Sequence, residues 1–196
     1  MNRSQAIRNY DWRTLHLRVR QWYDARNLRF VEEPVADIDR NFGIKYFVLR
    51  TSALLVKLRH DAETTFVIAV TPTTLRTDLT SIRKLYHAST GWIATIGEVQ
   101  HLTRSVPGCV PAFGSLFGLP VVVDARLRDA SEIFTASGRP GFAVRVPMCV
   151  YISSENPQLI GLRCKPTTEP DVGNLGDLAR EAPYSPGADT RLPHSS

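Results

Sequence analysis

The nine residues Val106-Pro107-Gly108-Cys109-Val110-Pro111-Ala112-Phe113-Gly114 constrain the fold more than any other stretch of this chain. Two prolines and two glycines in that span prevent a regular helix or strand and specify a loop of set shape. The flanks are regular. Ile96–Arg104 reads as a short helix with Val99 and Leu102 inward, and Leu119–Val123 as a β-branched strand ending at Asp124. Glycines without a Cβ let a ligand approach the main chain, and N–H groups released from regular pairing bind an anion or a carbonyl oxygen. A rigid Pro-Gly turn with no ligand is the simpler reading, and these residues alone leave both open.

Upstream, residues 4–26 carry helical periodicity. Trp12, Leu15, Val19 and Trp22 or Tyr23 recur at i, i+3, i+7 and i+10 or i+11, while Arg13, His16 and Arg20 fall elsewhere on the wheel. Asn27 marks a stop. Leu28–Val35 is a short strand candidate ended by Pro34, and Asp37–Gly43 is polar and turn-rich. Tyr46–Leu58, with an interruption near Arg50–Ser52, and Thr65–Thr71 read as two strands joined across the polar stretch Arg59–Thr64. Asp78 caps a helix whose apolar stripe is Leu79, Ile82 and Leu85, and Trp92–Thr95 reads as a buried strand. Beyond the loop, Asp129–Phe134, Ala136–Gly141 and Phe142–Val146 add a short segment, a glycine turn and a further strand. Elements alternate irregularly. This predicts a mixed α/β (α+β) domain, a mostly antiparallel mixed sheet or barrel surrounded by helices, and not a doubly wound parallel sheet.

The 196 residues suffice for one domain with a real core, taken to span residues 1–164. Residues 165–196 are rich in Pro, Gly, Thr and Ser, with one short helical segment at Asn174–Glu181. They bury too little apolar surface to offset their ordering entropy, so a flexible tail or partner-binding arm is expected. No apolar run approaches the ~20 residues of a membrane-spanning helix, which excludes an integral membrane protein of that kind. Before residue 30 there are seven arginines and only Asp11 and Asp24. That bias is faintly like a mitochondrial presequence, but a basic first helix of the domain is the simpler account and the one favoured. Three cysteines (Cys109, Cys149, Cys164) form no CxxC pair, so neither a disulfide framework nor a zinc site is expected, and a reducing compartment, cytoplasmic or the mitochondrial matrix, fits best. The net charge of +5 is uneven: the segment from Lys165 onward carries −2, which leaves the body at +7. A basic body points toward an anionic partner such as nucleic acid.

Side-chain chemistry declares itself weakly. Cys109, with His101 eight residues before it, invites a Cys–His nucleophile, but no third group to orient the pair is identifiable. A packed apolar cysteine is the alternative. Asp124 at a strand end is an acid–base candidate or a capping residue. The other histidines show no ligand spacing, and no phosphate-binding loop, dinucleotide fingerprint or nucleophile elbow occurs.

From about Phe42 to Ile152 an ordered series of motifs resembles the YbaK family of aminoacyl-tRNA deacylases, trans-editing relatives of the insertion domain of bacterial prolyl-tRNA synthetase. The family's apolar strand, its "VTP" corner and its Leu-Asp helix match Ala53–Leu58, Val67-Ile68-Ala69-Val70-Thr71-Pro72 and Asp78–Leu85. The helix and "G-G-V-P-P-F-G" loop match Ala94–Arg104 and Gly108–Gly114. The "L-P-V-x-x-D" strand matches Leu119–Asp124, and the "S-G-x-x-G" turn matches Ser137–Gly141. The resemblance implies hydrolysis of the ester joining a wrong amino acid to the tRNA 3′ end, with no metal or cofactor. It implies a carbonyl-binding loop at Gly108, Cys109 and Pro111, with Val110, Ala112, Phe113 and Gly114 lining it, and Thr71, Asp124 and Gly138 as further substrate contacts. The partner implied is the tRNA acceptor end, and a synthetase or ribonucleoprotein assembly beyond it.

Four positions depart from the family pattern. Its lysine falls at or beside Ser52, with Arg50 and Lys57 as the nearest cations. Strand alternation places Arg50 on the face of Ser52 and Lys57 on the opposite face, with Ala53 and Leu55. Cys109 replaces the second loop glycine, Ala112 the second proline, and Arg104 a glycine at the helix end. An active deacylase using Arg50 or Ser52, a catalytically degenerate RNA- or protein-binding module, and a Cys109-dependent hydrolase are the readings that remain.

Overall fold

The computed structural model describes residues 10–41 and 48–161. The expected helix start at residues 4–9 and the tail at 165–196 lie outside them. In chain order the elements are α1 (Trp12–Asp24), β1 (Glu32–Pro34), α2 (Val35–Asn41), β2 (Val48–Arg59), β3 (Thr64–Pro72), α3 (Leu79–Leu85), β4 (Thr90–Ile93), α4 (Ile96–Thr103), β5 (Val121–Asp124), β6 (Glu132–Ala136), β7 (Phe142–Pro147), α5 (Met148–Glu155) and β8 (Gln158–Ile160). Short 3-10 turns occupy Gly114–Leu116 and Ala125–Leu127.

The strands form one mixed sheet in the order β1-β7-β6-β2-β3-β5-β8, with β4 also on β2. Pairs β1–β7, β6–β7, β2–β3 and β2–β4 are antiparallel, and β2–β6, β3–β5 and β5–β8 parallel. Among the described residues the path is open, ending at β1 and β8, so the architecture is a sheet and not a closed barrel. The long strand β2 joins its two halves. Val48–Arg50 run beside β6, and Thr51–Arg59 beside β3.

The expected interruption at Arg50–Ser52 does not occur. Buried Thr51 donates its hydroxyl to the Phe134 carbonyl at 2.8 Å, which removes the cost of a polar side chain there. Alternation along β2 does hold. Ala53 and Leu55 face the largest core, with Ile68 and Val70 of β3 and Val19, Trp22 and Tyr23 of α1. Val56 and Leu58 face the opposite side, with Val67, Ala69 and Ile82 of α3. The sheet is therefore covered on both faces.

Three expectations need correction. The stretch read as turn-rich from Asp37 contains α2, because Val35 and Ile38 at i and i+3 turn inward and are almost fully buried. Trp92–Thr95 is not a buried strand. The strand is Thr90–Ile93, paired with the end of β2, and Trp92 and Ile93 are 48% and 53% exposed. The region after Val146 holds α5 and β8, neither of which the sequence reading assigned. Met148 and Tyr151 at i and i+3 are the inward residues of α5.

Candidate functional site

The loop Val106–Gly114 leaves α4 through a left-handed residue. Helix α4 starts in a full capping box, with the Thr95 hydroxyl accepting from the Glu98 amide and the Glu98 carboxylate accepting from the Thr95 amide. It ends at Arg104, with φ 54°. A Cβ in that region costs about 1 kcal/mol. Arg104→Gly is therefore expected to raise unfolding stability by about 0.5–1 kcal/mol, read as a small upward shift in Tm.

From there the backbone is braced residue by residue. The Thr103 hydroxyl donates to the Val99 carbonyl and accepts from the Ser105 amide. The Cys109 amide closes a turn onto the Val106 carbonyl at 2.9 Å, with Gly108 at φ 90° supplying the bend. The Ala112 amide donates to the Thr135 hydroxyl of β6 at 2.9 Å, and the Ala112 carbonyl accepts from the Tyr151 phenol of α5 at 2.8 Å. Burial pushes the Tyr151 phenol well above its ordinary range, so it remains a donor at every working pH. Phe113 then enters the core between Trp22, Tyr23 and Tyr151, with ring centroids at 4.2, 6.1 and 6.1 Å.

Cys109 is a core residue. It is fully buried among Val35, Ile38, Val106, Phe134, Ala136 and Ala143. Its side chain belongs to that cluster and so forms part of the core. Within Gly108–Ala112, the amides of Cys109 and Ala112 are engaged and Pro111 has none. The amides of Gly108 and Val110 have no hydrogen-bond partner among the described residues.

Arg50 is linked to this loop through β6, and Ser52 lies beyond that pairing, beside β3. Ser52 lies opposite Thr71, a buried residue whose hydroxyl is 3.5 Å from that of Thr77. Arg50 lies beside Phe134, and its carbonyl accepts from the Thr73 amide. Phe134 is thus adjacent to Thr135, which holds the loop at Ala112. Arg50 is therefore one residue along the β2–β6 pairing from the loop's anchor, while Ser52 and Thr71 pair with each other further along β2 and β3.

Lys57 is elsewhere, roughly 23 Å from Arg50 along the extended strand. Its ammonium is 2.6 Å from Glu98 Oε1. That hydrogen bond, helped by the Thr95 amide, holds the Glu98 carboxyl down at about 2. A carboxyl depressed in the fold stabilises it above the ordinary carboxylate range, and this stabilisation is lost as pH falls from 4.5 toward about 2. Both side chains are partly exposed, so screening limits the effect to about 1 kcal/mol. Glu98→Gln is expected to lower stability by about that amount at neutral pH and by only a small fraction of it near pH 2, measured by urea unfolding at both.

Asp124 and Gly138 have structural partners. The buried Asp124 carboxylate accepts from the amide, Nε and Nη2 of Arg126 and caps the turn that follows β5. Gly138, at φ 85°, lies beneath α1, where a Cβ would come within 3.0 Å of Leu15 Cγ, and its carbonyl accepts from the Tyr10 phenol at 2.7 Å. Thr135 and Tyr151, the two residues that brace the loop, were missed in the sequence reading. Nothing in their local pattern distinguishes them from other inward residues of a strand and a helix. Among the described residues no group of three His, Cys, Asp or Glu side chains is placed to hold a metal ion, and no helix is long and apolar enough to cross a membrane.

With this geometry established, the comparisons with known proteins decide the family. The model of the aminoacyl-tRNA editing domain matches residues 35–150. The chain belongs to the aminoacyl-tRNA editing domain family. Solved structures agree on the fold. The hypothetical protein APE2540 is similar at 20% identity and a TM-score of 0.62, with 75% of this chain and 99% of that one covered. A candidate trans-editing enzyme for prolyl-tRNA synthetase is similar at 21% identity and a TM-score of 0.62, covering 76% of this chain and 96% of that one. The editing-domain chain also resembles 27% of a larger protein of Marinobacter aquaeolei VT8, at 17% identity, 68% coverage of this chain and a TM-score of 0.52. No curated protein matches by sequence.

Proposed function

We propose that this editing domain is an aminoacyl-tRNA deacylase that acts in trans, hydrolysing the ester between a wrongly attached amino acid and the 3′ end of a tRNA. The observation that carries the reading is that the Gly108 and Val110 amides have no partner among the described residues, in a loop whose Cys109 and Ala112 amides are held by Val106 and Thr135 and whose Ala112 carbonyl is held by Tyr151. Pre-set N–H donors stabilise the charge that develops on a carbonyl oxygen under attack, and one such donor is worth about 10²–10³ in rate. Water adds to the ester carbon, the bond from that carbon to the ribose oxygen breaks, and the ribose oxygen takes the proton. The free amino acid and the tRNA hydroxyl leave. Arg50, on the strand beside the loop's anchor, takes the place of the family lysine in holding the terminal nucleotide, and Ser52 and Thr71 line the approach. The burial of Cys109 supports a mechanism with no protein nucleophile in the loop.

The test is incubation of the pure protein with mischarged Ala-, Ser- and Cys-tRNA. Release of amino acid above the buffer rate for at least one species is expected, and Arg50→Ala should slow it. Release at the buffer rate for every species sinks the reading. A binding-only module within a synthetase or ribonucleoprotein assembly is the second reading, favoured by Ser52 standing where the family carries lysine. It predicts tRNA binding that weakens steeply with salt and no hydrolysis.

A further inference from the structure

The outward stripe of helix α1, we infer, is a docking surface for the sugar–phosphate backbone of the RNA whose 3′ end enters the loop, an inference that rests on the deacylase reading above. The inward stripe of α1 is Leu15, Val19, Trp22 and Tyr23. Outward, at i, i+4 and i+7, stand Arg13, Leu17 and Arg20, all exposed, with Leu17 at 54%.

The charges on this helix run against its dipole. Arg13 sits in the first turn, where the macrodipole is positive, and Asp24 closes the helix where it is negative. No acid occupies the first turn and no base the last. The N-cap Asp11 complements the dipole by accepting from the Arg13 amide, whereas the Arg13 guanidinium does not. Neighbouring arginines are already used inside the protein: Arg18 donates to the Leu116 carbonyl, while Arg26 donates to the Ser154 hydroxyl and lies 3.9 Å over the Trp22 ring. Arg13 and Arg20 remain in solvent. Arg13 has the exposed Asp11 at 3.8 Å and the Trp12 ring beside it, and Arg20 lies 5.9 Å from the centre of the Phe30 ring.

Seven residues of helix separate them by about 10 Å, enough for two separate phosphates. Guanidinium groups suit phosphate oxygens in charge and in fork geometry. The stripe also rides on the element clamped to the loop through Phe113. A strand held at its end by the loop and along its backbone by α1 is thus attached at two points.

The test uses the full chain carrying Arg13→Gln and Arg20→Gln together, with charge reversal (Arg13→Glu, Arg20→Glu) as a second variant. Three quantities are read: the salt dependence of uncharged tRNA binding, KM for mischarged tRNA, and hydrolysis of a 3′-aminoacyl adenosine, which has no backbone to dock. The slope of log affinity against log salt should fall by about 2, one per arginine. KM for tRNA should rise about tenfold, more with charge reversal, while the small ester is hydrolysed as before. An unchanged slope and KM beside intact hydrolysis overturn the docking surface and leave the deacylase reading standing. Failure of the unaltered protein to hydrolyse either substrate removes that reading instead, and an unchanged tRNA slope in the variants then overturns the surface as well.

Discussion

Gly114→Ala is expected to cost about 3 kcal/mol of unfolding free energy, a fall in Tm of roughly 6–12 °C. The added Cβ would lie 2.3 Å from the Leu119 carbonyl oxygen and 2.4 Å from Val121 Cγ2. The first of these is backbone and cannot swing aside. The Gly114 carbonyl accepts from the amides of both Phe117 and Leu119, so the chain doubles back on itself here before entering β5. Relief of the clash would break that turn or displace β5 from β3. Gly118→Ala is the matched control. Its φ of 67° is unfavourable for a Cβ, but no atom lies within 4 Å, so only the left-handed backbone penalty of about 1 kcal/mol applies. Thermal unfolding of the two variants side by side separates a steric requirement from a conformational one.

Phe113→Ala should be comparably damaging, about 3–5 kcal/mol, because it empties a fully buried aromatic site at the meeting of α1, α5 and the loop. Phe113→Leu retains most of the volume and should cost no more than about 1.5 kcal/mol. The larger replacement also releases the clamp that positions Gly108 and Val110. If the loop acts through placed amides, hydrolysis of mischarged tRNA should drop by about 10²-fold even at a temperature where the variant is folded, the scale expected of a displacement near 1 Å. Single-turnover rates, with far-ultraviolet circular dichroism of the same samples, read both effects.

What was legible in the sequence followed physical strength. The α1 stripe of Leu15, Val19, Trp22 and Tyr23 has a clear 3.6-residue period, and Asp78 has the short acceptor that a helix start requires; both stand as expected. The loop was legible because proline and glycine act through local sterics. Helix α2 was not, since Asp37 and Asp39 among few apolar residues look like a turn until Val35 and Ile38 find Val106 and Phe134 to pack on. Strand β4 was misplaced because Trp92 and Ile93 carry strand propensity whether buried or on an open edge. In the site, the direction of the Cys109 side chain was beyond the sequence. It depends on the Val106 turn and on packing with α2, β6 and β7. The bracing by Thr135 and Tyr151 is likewise a product of long-range topology.

Hydrolysis by a backbone loop without a protein nucleophile stands or falls on Cys109→Ala in single-turnover deacylation of mischarged tRNA. A small buried side chain is shortened and no amide is touched, so the rate should stay within about twofold of the unaltered protein. A fall to the buffer rate in a variant that remains folded would contradict the account and make the thiol the reacting group.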